Sequence, residues 1–212
     1  MARLLMIGKL IALLTCCKGT AAEVKITNGD QHNEVYQRGG DLISPHMRLL
    51  EREPKASKEV RDQVSKGIAD LNAVTDYNPT NWAAFWIKGK GYQVLGDQKA
   101  AKAEFEKSFS IQKENPDVAR EYAASFLELG DGEEAVNATR HAIKLKPDDA
   151  GLRANLALAL LISGKNEEAK VEITESLRMI STDRISLAVK KVIDEVASGI
   201  RKQPKTMADL SR

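Results

Sequence analysis

The sequence predicts an all-α chain, a solenoid of antiparallel helix pairs that ends in a C-terminal capping helix. Three observations carry this expectation. A glycine-centred motif recurs every 34 residues, as Leu95-Gly96-Asp97, Leu129-Gly130-Asp131 and Ser163-Gly164-Lys165. Five residues after each glycine stands an alanine (Ala101, Ala135, Ala169), and four further on a larger residue (Phe105, Thr139, Ile173). Aromatic residues make up only 5% of the chain, whereas hydrophobic residues reach 42% and charged residues 29%. That balance suits a soluble helical protein better than an aromatic-rich enzyme core.

Each recurring residue has a physical reason. Glycine tolerates the left-handed backbone that closes a tight turn between two helices. The alanine lets the second helix approach the first closely, and the larger residue one turn on fills the space beside it. Proline ends a helix because it lacks an N–H and clashes with the preceding turn. Pro116 and Pro147 stand where the first two units end. The period therefore predicts three units, 81–115, 116–149 and 150–183.

With these residues the sequence resembles the tetratricopeptide-repeat (TPR) family, whose unit reads W-x2-L-G-x2-Y, then A-x3-F, then P. The first unit offers Phe85, Lys88, Gly89 and Tyr92, then Ala101 and Phe105. The second offers Ala119, Tyr122, Ala123 and Phe126, then Ala135, Thr139 and Pro147. The third offers Leu156, Ala157 and Leu160, then Ala169 and Ile173. Lys88 and Arg153 depart from the pattern, which puts apolar residues at their positions.

The flanks extend the array more weakly. Residues 58–80 carry Val60, Val64, Ile68, Leu71 and Val74 at helical spacing. Gly67, Leu71 and Val74 match the second helix of a degenerate half-repeat whose first helix has decayed. Residues 184–203 place Ile185, Val189, Val192, Ile193, Val196 and Ile200 on one stripe, as a capping helix should. Thr182 or Asp183 is its expected N-cap. Residues 23–57 read as an irregular N-terminal arm, broken by Gly29, Gly39-Gly40, Pro45 and Pro54. Residues 204–212 read as a flexible tail.

Residues 1–22 have the build of a signal peptide: Arg3, an apolar run from Leu10 to Cys17, and small residues up to Ala22. The run is shorter than the roughly 20 residues of a spanning helix, so no transmembrane helix is expected. Of 32 basic and 30 acidic residues, three bases and no acid fall in 1–22, which leaves 29 bases beyond it. The near-neutral remainder has no nucleic-acid footprint. Both cysteines, Cys16 and Cys17, lie in the same segment, so cleavage would leave a thiol-free chain. The alternative is that one of them is a lipid-attachment site.

No constellation for catalysis, cofactor or metal stands out. His32, His46 and His141 are isolated from one another in sequence. Glu133-Glu134 and Glu167-Glu168 fall in first helical turns, where acids suit the helix dipole. The expected function is therefore an exported scaffold that binds a partner protein or peptide. The alternative is a lipid-anchored component of a cell-envelope assembly complex. The resemblance implies that first helices line a concave groove. Its candidate residues here are Trp86, Lys90, Val94, Arg120, Leu127 and Leu158. The apolar end of the groove either lies open or is covered by the capping helix.

Overall fold

The computed structural model describes residues 24–47 and 56–211. Among these residues there are nine α-helices and no strand. They are α1 (Gly29–Ile43), α2 (Lys58–Tyr77), α3 (Trp82–Leu95), α4 (Gln98–Ile111), α5 (Pro116–Leu129), α6 (Gly132–Leu145), α7 (Ala150–Ile162), α8 (Asn166–Met179) and α9 (Arg184–Ala197). The leader-like segment 1–22 lies outside the described residues.

The helices start and stop where local chemistry dictates. Asn28, Ser57, Asn81, Asp97, Asn115, Asp149 and Asp183 each accept a backbone N–H from the first turn of the helix they precede. Helices α3, α5 and α7 end in the same way. Gly96, Gly130 and Gly164 have φ near 80°, 80° and 77°. The N–H groups of Asp97, Asp131 and Lys165 then reach back to Tyr92, Phe126 and Leu160. This six-residue closure satisfies carbonyls that the helix end would otherwise leave bare.

Packing is greatest within successive pairs: α1 with α2, α3 with α4, α5 with α6, α7 with α8. Each pair then stacks on the next through its second helix. First helices also touch one another across units (α1 with α3, α5 with α7, α7 with α9), whereas second helices scarcely do among the described residues. The first helices therefore form the inner, concave side.

The N-terminal region departs from the expected arm. Residues Gly29–Ile43 form a full helix, and α1 and α2 make a fourth pair at the head of the array. The glycines that suggested a break are instead what allows the two helices to meet. A Cβ on Gly67 would lie 2.8 Å from the Gly39 carbonyl oxygen, and one on Gly39 2.9 Å from Leu71. The first helix of this unit has not decayed; a longer connection separates it from α2. Val35, Ile43, Val64, Ile68, Leu71, Val74, Ala84 and Val94 form its core, with Val24 and Ile26 packed at the edge.

Each of the two N-terminal pairs also holds an ion pair between its own two helices. Arg38 and Lys88 each precede the close-packed glycine of the first helix, Gly39 or Gly89. Each meets an acid on the second helix: Arg38 Nε lies 2.7 Å from Asp70, and Lys88 Nζ 3.0 Å from Glu104. Lys88, at an apolar position of the repeat, is thus a buried charge with a partner.

At the other end α9 packs on α8 and α7 and closes the main core with Val189 and Ile193. Its outward face carries Lys190, Lys191 and Asp194, in the register where α7 carries the buried Leu156, Ala157 and Leu160. A further helix in this register would have to bury those charges, a cost that the internal units do not meet at these positions.

Residues 204–212 differ from the flexible tail the sequence suggested. Pro204 is buried, and Met207–Ser211 form a short 3-10 helix against α5. Thr206 and Asp209 cap that turn: the Asp209 carboxylate accepts the N–H groups of Lys205 and Thr206 and the Thr206 hydroxyl.

Candidate functional site

The candidate site is the inner face built by α3, α5 and α7. Trp86 and Lys90 sit one turn apart on α3, and Arg120 and Glu121 on α5. Lys90 Nζ lies 3.1 Å from Glu121 and 5.7 Å from the centre of the Trp86 ring. The Lys90 ammonium is almost wholly buried between this carboxylate and the indole, an arrangement that offsets its lost hydration. Arg120 crosses to the next unit and pairs with Asp149, which also caps α7 through the Leu152 N–H. Lys146 approaches the same carboxylate at 3.5 Å.

Asp149 is held below the usual carboxylate range. Burial pushes its pKa up, but the Leu152 N–H, the Arg120 guanidinium and Lys146 together outweigh burial. The carboxylate therefore stays ionised and fixes Arg120 in place.

Two donors in this row have no partner. Trp86 Nε1 and Arg120 Nε are buried without a hydrogen bond. Trp86 and Arg120 occupy the same register position of successive units, 34 residues apart. Unpartnered buried N–H groups are uncommon, because each forfeits its hydration. The inner face of α3 and α5 is thus rich in donors, fixed by acid partners, and half open at Trp86 and Arg120.

Not all six expected groove residues share that setting. Trp86 and Arg120 are partly exposed, whereas Lys90, Val94, Leu127 and Leu158 are buried. Val94 belongs to the core that α1 and α2 complete. Leu127 and Leu158 belong to the main core, on which Met207 and Leu210 also pack. Lys90 is enclosed by Glu121 and Trp86, Val94 shares a core with α1 and α2, and the C-terminal segment, read from the sequence as a flexible tail, packs on the core that holds Leu127 and Leu158. Glu121 and Asp149 went unnoticed in the sequence. The only signals for them are an acid beside Arg120 and an aspartate at a helix N-cap.

The histidines are placed by local contacts. His46 meets Gln63, His141 meets the Lys113 carbonyl, and His32 stacks on Tyr36 with Tyr77 tilted against it. Among the described residues no group of three or more His, Cys, Asp or Glu is arranged to hold a metal ion. No described helix is long and apolar enough to cross a membrane.

No family model matches the sequence. Solved structures do match the fold. A tetratricopeptide-repeat protein from Parabacteroides merdae aligns with a TM-score of 0.65 at 14% identity, over 81% of this chain and 62% of that one. YrrB, a TPR protein with an unusual peptide-binding site, aligns with a TM-score of 0.59 at 16% identity, over 86% of this chain and 90% of that one. The first TPR of Spaghetti, bound to an HSP90 peptide, aligns with a TM-score of 0.52 at 18% identity, over 55% of this chain and 93% of that one. The fold of this chain is therefore a TPR-type solenoid of helix pairs.

Proposed function

We propose that this chain is a binding scaffold that receives a segment of a partner protein along its inner face and performs no chemistry of its own. The observation that carries this reading is the row Trp86, Lys90–Glu121, Arg120–Asp149 on consecutive first helices, with two buried N–H donors lacking acceptors. A partner peptide brings carbonyl oxygens at regular spacing, which these N–H groups meet once the Trp86 and Arg120 side chains turn outward on binding. The partly exposed Trp86 ring supplies the apolar anchor, a role indole fills often at interfaces. The peptide-binding structures among the fold's neighbours support the same reading.

We further propose that the scaffold works after export. Support comes from the leader-like composition of residues 1–22, which holds both cysteines. The mass of the natural mature N-terminus tests this. A chain beginning near Glu23 supports export as a free protein, a diacylated Cys16 or Cys17 supports the membrane-anchored alternative, and an intact Met1 overturns both.

The binding role is tested by crosslinking in the native source, identification of the partner, and titration of the purified pair. Trp86→Ala should weaken binding about 10- to 100-fold, the scale of an aromatic anchor. Arg120→Ala should weaken it less. A folded Trp86→Ala chain that binds as well as the wild type would rule the inner face out as the docking surface.

A further inference from the structure

The C-terminal segment lies against the ends of the first helices α5 and α7. After α9 the chain turns back towards α7 and α5 and is fixed at several points. The Arg201 guanidinium meets Glu195 on α9 and donates to the carbonyls of Asp209 and Leu210. The Gln203 amide donates to the Leu161 carbonyl at the end of α7, and Gln203 Oε1 accepts from Asn166 at 3.0 Å. Further on, Thr206 lies over the turn that follows α5, with its methyl carbon 3.0 Å from where a Cβ on Gly130 would be. Met207 and Leu210 then pack on the core that contains Leu127, Leu158 and Leu161.

These contacts have the form of a bound peptide. The segment is one capped helical turn with two apolar side chains three residues apart, which places both on one side. Lys205, Thr206 and Asp209 bond among themselves to cap the turn, and the Thr206 methyl also rests on the turn after α5. The Leu161 carbonyl that Gln203 reaches lies at the C-terminal end of a first helix and also accepts the Gly164 N–H at 3.0 Å, so the Gln203 amide takes its second lone pair.

We propose that the apolar end of the inner face is a peptide site whose resident ligand is the chain's own segment 203–210. A partner segment of the same build, a short helical turn with two apolar anchors three residues apart, enters when the resident segment leaves. The proposal rests on the reading of the inner face as a peptide groove and adds the chemistry of the ligand and an internal competitor. A short tether gives the resident segment an effective concentration in the millimolar range. A free peptide of equal intrinsic affinity is therefore largely excluded from the wild-type chain.

The test uses a fluorescent synthetic peptide with the sequence of residues 201–212 and the full-length protein, followed by anisotropy. A Met207→Asp/Leu210→Asp chain places charges against the core and releases the resident segment. It should bind the peptide at least about tenfold more tightly than the wild type does. A peptide with the same two aspartates should bind neither chain. If the released chain keeps wild-type helicity yet binds no better, the proposal is overturned. Should the double substitution lower helicity, Arg201→Ala is the second variant. It cuts the hold on the Asp209 and Leu210 carbonyls and leaves both anchors in place. A gain of about threefold is expected there, and no gain overturns the proposal. Failure of this assay leaves the Trp86–Asp149 reading intact, because the partner titration depends on other residues. An inert Trp86 with a positive peptide result does the reverse.

Discussion

Lys88 is the most heavily buried charge in the molecule's ion pairs among the described residues, with its side chain 4% exposed. Burial pushes its ammonium pKa below the ordinary lysine value, and Glu104 pushes it back up. The sign follows. A charged amine buried in the folded state costs stability below its folded pKa, and that cost is relieved as pH rises through it. Glu104 and Lys88 therefore need each other. Lys88→Met alone should destabilise the chain by about 3 kcal/mol, because it strands a buried carboxylate that keeps only Lys107 at 3.1 Å. Lys88→Met with Glu104→Leu should come within about 1 kcal/mol of the wild type, since apolar groups of similar volume replace a desolvated pair. Urea denaturation of the two singles and the double checks this as a mutant cycle. A double variant as unstable as the worse single would mean that the pair is more than an electrostatic match. At this scale the sequence was only partly legible. Lys88 stood out as a departure from the repeat, but its reason lies 16 positions away on the second helix.

At the scale of elements, α1 is the instructive case. Its sequence contains Gly39-Gly40, and glycine in a helix interior costs about 0.5–1 kcal/mol relative to alanine. Local propensity therefore argues against a helix. Packing against α2 outweighs it, because the backbones of Gly39 and Gly67 meet where any side chain would collide. Gly67→Ala should cost about 2 kcal/mol, since its Cβ would sit 2.8 Å from a carbonyl oxygen that cannot move without moving α1. Gly40→Ala should do the opposite. Its Cβ would lie 3.9 Å from Ile87, an ordinary contact, so the helix gains about 0.5–1 kcal/mol. Thermal melts of the two variants should move in opposite directions. A loss in both would place the glycines' role in the turn geometry of α1 and not in its contact with α2. The second helices were easier to foresee from their apolar stripes, and the capping helix from its stripe and its N-cap Asp183, because these are local signals.

For the whole molecule, the repeat makes stability a matter of neighbours. Each pair contacts chiefly the pair before and after it, so the ends lack half of their interfaces. Helix α7 lies deepest, with nine buried residues from Ala150 to Leu161. Hydrogen exchange followed by mass spectrometry should find the slowest amides in α7 and faster exchange in α1 and α9. Equal protection along the array would mean that the chain opens as one cooperative block. The sequence by itself determined the period, the turns and the apolar faces, because a 34-residue spacing, a left-handed glycine and a helical stripe all act within one unit. Only the tertiary structure decided how the inner face is divided. Contacts far apart in sequence draw α1 and Val94 into one core and the C-terminal segment onto the core that holds Leu127 and Leu158, and they leave Trp86 and Arg120 partly exposed. Such contacts follow no period. Glycines that read as breaks and a polar C-terminal stretch that reads as loose become ordered only once the rest of the chain offers them a surface.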